Sequence, residues 1–271
     1  MLEHFVNLSN IGSFIAFASY LLATLAVVFR LFHPKGPSIV VVLSFASIAI
    51  IAHALSNGEI LYSNEIINFS LPNVISLVSL IITLTVSAIA LRYKINLLLP
   101  VVYAFAGVWQ LVMIFIPTIG QAPLVIEKLP IISHITLALI AYCVLIIATL
   151  YAFQVAYINL KLKSKNLLAV SHLPPLMQVE GQLFIILAIG TSCLFASELV
   201  GFIYLENFIS KANAHKTVLS LLSLCVYITI LWGHYKQGWR GHRVLVLVII
   251  ASTLLTLAYF GSRFVKEFIL A

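Results

Sequence analysis

Hydrophobic residues occur in eight long runs along the chain, and most polar and charged residues collect in the short segments between them. A helix of about 20 apolar residues crosses a hydrocarbon core about 30 Å thick. Membrane-spanning strands would instead alternate apolar and polar positions over about ten residues. The pattern therefore predicts an all-α integral membrane protein with eight transmembrane helices, forming a single transmembrane domain over residues 1–271. The runs are Ile11–Phe29, Ser38–Leu55, Leu71–Leu91, Ile95–Pro117, Ile131–Leu160, Gly181–Leu205, Val218–Tyr235 and Val244–Ser262.

The basic residues between the runs predict how the helices are oriented, because cytoplasmic loops carry an excess of Lys and Arg. The loops after the first, third, fifth and seventh runs are rich in these residues, and the opposite side holds fewer of them together with most of the Glu residues. We therefore expect both termini on the non-cytoplasmic side. The cytoplasmic set is Arg30, Lys35, Arg92, Lys94, Lys161, Lys163, Lys165, Lys236, Arg240 and Arg243.

Composition agrees with a membrane protein and removes several classes of function. Only 8% of residues are charged and 62% are hydrophobic, whereas soluble proteins contain roughly 25% charged residues. The net charge of +7 is explained by the basic residues that collect in loops on one side of the bilayer, so we expect no nucleic-acid partner. The chain has no Asp, no Ser-His-Asp arrangement and no Gly-rich phosphate loop. We therefore expect a protein that is not an enzyme.

Three histidines fall at the predicted outer ends of three different helices. They are His53 at the end of the second, His134 at the start of the fifth and His215 at the start of the seventh. Imidazole is a common metal ligand and a standard axial ligand of haem iron. One hypothesis is that His53 and His134 hold a haem between helices, with His215 in reserve. The alternative is that each is an interfacial side chain bonded to water, a lipid headgroup or a loop carbonyl.

Glu198 is the one carboxyl group deep within a run, and such a group must be paired or protonated inside a membrane. One interpretation is a structural hydrogen bond to a neighbouring helix through Ser197 or Tyr204. The other is that Glu198 lines the same outer pocket, with Arg263 as its partner.

Three further residues could contribute to that pocket. Arg263 and Lys216 lie at the outer ends of helices and could bind haem propionates, because cations pair with carboxylates; they could equally anchor the helices to headgroups. Trp109 falls in the outer half of the fourth helix and is either packing or one wall of a haem pocket.

Several stretches in a consistent order resemble the cytochrome c assembly (CcsA/CcmC-type) superfamily, and most closely its short YpjD-like branch, to which HemX is related. The family-like region covers about residues 38–266. The stretches are His53–Leu55, Leu71–Ser79, Leu98–Phe105, His134–Leu137, Ala141-Tyr142, Leu173–Met177 with Glu180, Lys216–Tyr235, Gly238–Gly241 and Leu257–Arg263.

The resemblance implies a protein of the bacterial cytoplasmic (inner) membrane that handles haem near the outer face. By resemblance, His134 matches the outward-facing haem ligand of larger members, and His53 matches the helix-end histidine of the short branch. The tryptophan-rich signature of the superfamily is missing, since Ala212-Asn213-Ala214-His215 stands before Lys216. This departure disfavours delivery of haem to apocytochrome c more than it disfavours haem binding.

The leading hypothesis is a haem-binding or haem-handling membrane protein that holds haem b non-covalently. One alternative is an accessory or regulatory subunit that acts by binding another membrane protein, such as a transporter or the haem-synthesis machinery. A third is a small ion transporter that uses Glu198 as its proton or cation site.

Overall fold

The computed structural model describes residues 8–31, 36–62, 71–93, 95–116, 129–165, 173–205 and 214–261. These residues form helices and a few short turns, and no strand occurs among them. The helices are α1 (Leu8–Val28), α2 (Ile39–Tyr62), α3 (Leu71–Ala90), α4 (Leu98–Phe115), α5 (Leu129–Lys163), α6 (Leu176–Tyr204), α7 (Ala214–Gln237) and α8 (His242–Thr256), which continues as a π-helical turn, Leu257–Gly261.

The prediction of eight transmembrane helices is confirmed. Each helix contains a stretch that is long and apolar enough to cross a membrane. Large apolar side chains such as Phe14, Leu55, Phe105 and Phe202 lie exposed on the helix surfaces. Such apolar surfaces are stable against lipid rather than water. A helix also suits lipid because it makes its backbone hydrogen bonds internally.

Most helix ends lie within four residues of the predicted ones, and three features of the helices differ more. The second helix ends at Tyr62 rather than Leu55, and the sixth begins at Leu176 rather than Gly181. The eighth helix changes to π-helical geometry at Leu257. In the first two cases the added turns carry polar side chains that are buried and bonded inside the protein, which a hydropathy pattern assigns to loops.

The chain divides into two compact units. Unit 1 consists of residues 1–125 and 168–174, and unit 2 of residues 126–167 and 175–271. Among the described residues, unit 1 contains α1 to α4, and unit 2 contains α5 to α8 with the π-helical turn. The single transmembrane domain over the whole chain stays a prediction from sequence.

Small residues allow the helices of each unit to approach closely. In unit 1, a Cβ atom on Gly107 of α4 would lie 3.2 Å from the Cβ of Tyr20 on α1. In unit 2, a Cβ on Gly190 of α6 would lie 2.8 Å from the side chain of Leu145 on α5. Membrane helices associate through such contacts, because lipid offers no hydrophobic driving force between them.

Candidate functional site

The interior of unit 1 contains a buried polar network centred on His53. His53 and Ser76 are fully buried. The Nδ1 atom of His53 lies 3.2 Å from the Tyr20 hydroxyl on α1, and its Nε2 lies 3.0 Å from the Ser76 hydroxyl on α3. Gln110 on α4 donates to the same Ser76 oxygen at 2.9 Å. One imidazole and one hydroxyl thereby connect all four helices of the unit.

The hydrogen bonds of Ser76 determine which nitrogen of His53 carries the proton. Ser76 donates its only hydroxyl proton to Asn57 Oδ1 at 2.7 Å, so its oxygen can only accept from Gln110 and His53. His53 must therefore carry a proton on Nε2. Its Nδ1 is then the acceptor, and Tyr20 donates to it. Both ring nitrogens of His53 are thus used inside unit 1.

The predicted position of His53 at the end of the second helix is wrong. The helix continues to Tyr62, so His53 lies more than two turns before its end and is fully buried. The helix continues because Ser56 and Asn57 are also buried in the unit; Ser56, for example, bonds to Ser13 on α1 at 2.7 Å.

Trp109, the other predicted pocket residue in unit 1, is part of the contact between α3 and α4. Its indole Nε1 donates to the backbone carbonyl of Pro72 at 3.2 Å, and the side chain is partly buried. The carbonyl belongs to the first turn of α3, so the bond holds the two helix ends together. This geometry supports the packing interpretation of Trp109.

In unit 2, His134 is joined to α6 by reciprocal hydrogen bonds with Ser197. The imidazole Nδ1 lies 2.8 Å from the backbone carbonyl of Ser197, and the Ser197 hydroxyl donates to the backbone carbonyl of His134 at 3.0 Å. A carbonyl oxygen can only accept, so the proton of a neutral His134 is on Nδ1 and the lone pair is on Nε2. His134 lies in the second turn of α5, which agrees with its predicted position at a helix start.

Glu198 lies beside this histidine in the interior of unit 2. Its carboxyl group is buried and contacts the Ser220 side chain on α7. Its Oε2 has no hydrogen-bond partner among the residues that the structure describes, and its charge interacts with the side chains of His134 and Tyr259. The cluster brings together side chains from α5, α6, α7 and the π-helical turn.

The structural alternative predicted for Glu198 named the wrong partners. The Ser197 hydroxyl bonds to His134 instead, and the side chain of Tyr204 is exposed. The contact with Ser220 does cross to another helix, as that interpretation expected, but the sequence alone did not indicate Ser220 as the partner. Arg263, the other predicted partner, lies outside the described residues.

The remaining candidates lie in the first turn of α7. His215 is exposed, as the interfacial interpretation expects, and Lys216 is partly buried. Ser220 follows Lys216 by four residues and so lies on the same face of α7. His134, Glu198, His215 and Lys216 all belong to unit 2, whereas His53 and Trp109 belong to unit 1.

Two groups of polar contacts were not predicted from the sequence. The first is formed by Tyr20, Ser76 and Gln110 around His53, although their polar side chains within long apolar runs were a usable signal. The second is the pair of Glu180 and Arg240 at 3.6 Å, because Glu180 was predicted to lie in a loop and is buried in α6.

Eight apolar helices, with clusters of polar side chains buried inside both units, define a polytopic membrane protein. The model of the family described as Cytochrome C assembly protein matches residues 39–270. The chain therefore belongs to the cytochrome c assembly protein family.

The relatives of the chain include proteins from three bacterial strains or species. The chain is 42% identical over 233 residues to the inner membrane protein YpjD of Escherichia coli K12, with 86% of each chain covered; the YpjD protein of Escherichia coli O157:H7 gives the same values. It is 33% identical over 140 residues to an "uncharacterized 28.8 kDa protein in nifR3-like 5'region" of Azospirillum brasilense, covering 51% of this chain and 52% of that protein. No solved structure matches the chain. The predicted location in the bacterial inner membrane is confirmed.

Proposed function

We propose that this member of the cytochrome c assembly family binds and handles haem b non-covalently in the membrane, with His134 as an axial ligand of the iron. The observation that carries the proposal is the hydrogen bond from His134 Nδ1 to the Ser197 carbonyl at 2.8 Å. Family membership supports it.

This hydrogen bond prepares the imidazole for a metal. A histidine that ligates a metal commonly donates its other ring N–H to a carbonyl or carboxylate, which fixes the tautomer and the ring orientation. In His134 the Ser197 carbonyl has this role and places the proton of the neutral ring on Nδ1, so Nε2 is the nitrogen that would coordinate iron. This hydrogen bond is the feature of the site that fits an axial ligand of haem.

His53 does not fit the role of second axial ligand in the same way. Its Nε2 carries a proton donated to Ser76, and its Nδ1 accepts from Tyr20. Ligation would require one of these two buried hydrogen bonds to break. The proposal therefore rests on His134, and His215 and Lys216 stay predicted as reserve ligand and propionate contact.

Haem titration of the purified protein in mild detergent tests the proposal. We expect the wild type to develop a Soret band that differs from that of free haem in the same detergent. The variant His134→Ala should lose this band or shift it. A matched control is His242→Ala, because His242 is an exposed histidine in the first turn of another helix of unit 2.

Two outcomes would contradict the proposal. One is a wild-type protein whose spectrum stays that of free haem at every concentration. The other is a His134→Ala spectrum identical to that of the wild type and of His242→Ala. A colourless preparation that contains a stoichiometric second protein would instead favour the accessory-subunit alternative.

A further inference from the structure

The turn between α7 and α8, residues 238–241, is held in one conformation by contacts with the end of α7. Gly238 and Gly241 adopt φ values of +67° and +63°, a region that favours glycine. The ring of Trp239 packs on Gly233, where a Cβ atom would lie only 2.3 Å from Trp239 Cε3. His234 Nδ1 donates to the Trp239 carbonyl at 3.0 Å. The turn therefore presents Arg240 from a fixed backbone.

Arg240 is also oriented by an acidic partner. Its Nε lies 3.6 Å from Glu180 Oε1, and Glu180 is buried while the Arg240 side chain is 56% exposed. A guanidinium group has five N–H donors in a rigid fork. The carboxylate forms an ion pair on the Nε side of the group, and the exposed remainder can bind an anion.

The surface around Arg240 is basic and aromatic. Lys236, His242 and Arg243 are exposed, and the chain contains no Asp or Glu between Glu206 and Glu267. Trp232 and Tyr235 on the last turns of α7 are also exposed. Tryptophan and tyrosine favour the interface between hydrocarbon and headgroups. The same helix end thus carries both features of an interfacial segment.

The α5 helix adds further cations to this surface. Its residue Asn159 reaches the turn, because a Cβ atom on Gly241 would lie 3.4 Å from the Asn159 side-chain nitrogen. Lys163 and Lys165 at the end of α5 are exposed. The positive potential around the turn is therefore produced by two separate parts of unit 2.

We propose that the α7–α8 turn binds the phosphate headgroup of an anionic phospholipid, with Arg240 as the principal contact and with Lys236 and Arg243 strengthening it. A guanidinium group binds phosphate through two parallel hydrogen bonds. Lipid is the occupant that fits, because the aromatic side chains place these cations at the level of the headgroups. Glu180 is a positioning residue that holds the guanidinium before the lipid arrives. The site is independent of the haem proposal.

Competitive lipid binding to the full-length protein tests this site. The protein is equilibrated in a neutral detergent with equal amounts of phosphatidylglycerol and phosphatidylcholine, and native mass spectrometry measures which lipid is retained. We expect the wild type to prefer phosphatidylglycerol. A juxtamembrane cation contributes about 1 kcal/mol to binding an anionic membrane, so Arg240→Gln should reduce the preference about fivefold.

Two further variants separate an oriented site from a general positive charge. Arg240→Lys keeps the charge but loses the fork, and we expect a preference between those of the wild type and Arg240→Gln. Glu180→Gln makes the protein more positive, so a general electrostatic attraction would raise the preference. The oriented site predicts that the preference falls.

The control is Arg92→Gln, which removes an exposed cation of unit 1 and should leave more of the preference intact than Arg240→Gln does. The proposal is wrong if Arg240→Gln behaves like Arg92→Gln, or if Glu180→Gln retains phosphatidylglycerol as well as the wild type or better. Thermal midpoints measured on the same samples show whether each variant is folded.

Discussion

The buried network in unit 1 makes His53 a structural residue whose loss should destabilise the protein even without haem. The imidazole is fully buried and bonds to Tyr20 and Ser76. Replacing His53 with Ala deletes both hydrogen bonds and leaves a cavity between the helices. Replacing it with Leu deletes the hydrogen bonds but fills most of the space.

The sizes of the two effects follow from what remains around the site. Side-chain hydrogen bonds inside a membrane protein contribute about 0.6 kcal/mol each on average. After the substitution Ser76 keeps Asn57 and Gln110, so the penalty for unpaired groups is small. We expect His53→Leu to cost about 1 kcal/mol. His53→Ala should cost about 3 kcal/mol, because truncating a large buried ring to Ala typically costs about 3–5 kcal/mol.

Reversible unfolding of the haem-free protein in mixed micelles, with increasing denaturing detergent, measures these free energies. Leu55→Ala is the matched control, since Leu55 lies two residues after His53 on α2 but its side chain is exposed. We expect it to change the free energy of unfolding by less than about 0.5 kcal/mol. If haem-free His53→Ala is as stable as Leu55→Ala, the structural role assigned to His53 is wrong.

Two further predictions concern helix contacts elsewhere. Gly233→Leu should displace the Trp239 ring, because even a Cβ atom would lie 2.3 Å from it; a shift in tryptophan fluorescence and a loss of at least about 2 kcal/mol of unfolding free energy are expected, and unchanged values of both would contradict the packing described. Trp109→Phe should lose the hydrogen bond to the Pro72 carbonyl and about 0.6 kcal/mol of unfolding free energy, while haem binding stays at the wild-type level. Loss of haem binding would contradict this and favour Trp109 as one wall of a haem pocket.

The number of helices could be predicted from sequence because the bilayer imposes a minimum apolar length on every crossing. Their ends could not, because a polar residue near a helix end is assigned to a loop unless its partner is known. Ser56 and Asn57 extend α2 through contacts with α1 and α3. Likewise, α6 begins before Glu180 because Arg240, sixty residues later, supplies the opposite charge.

The position of a candidate site residue could be predicted only where it depends on that residue's own helix. His134 lies near the start of α5 as expected, because its position depends on where a single apolar run begins. The surroundings of His53 depend on which faces of four helices meet, and hydropathy does not show this when apolar residues cover nearly the whole surface of each helix. For the same reason the sequence did not show that Glu198 contacts Ser220 across to α7.

Haem content of the protein as purified tests the central claim most directly. Cells supplied with haem express the wild type and His134→Ala, and haem is extracted from each purified protein and compared with the protein concentration. We expect the wild type to retain haem in a fixed ratio to protein and His134→Ala to retain almost none while remaining folded. Equal haem content in the two folded proteins, or none in the wild type, would contradict the account.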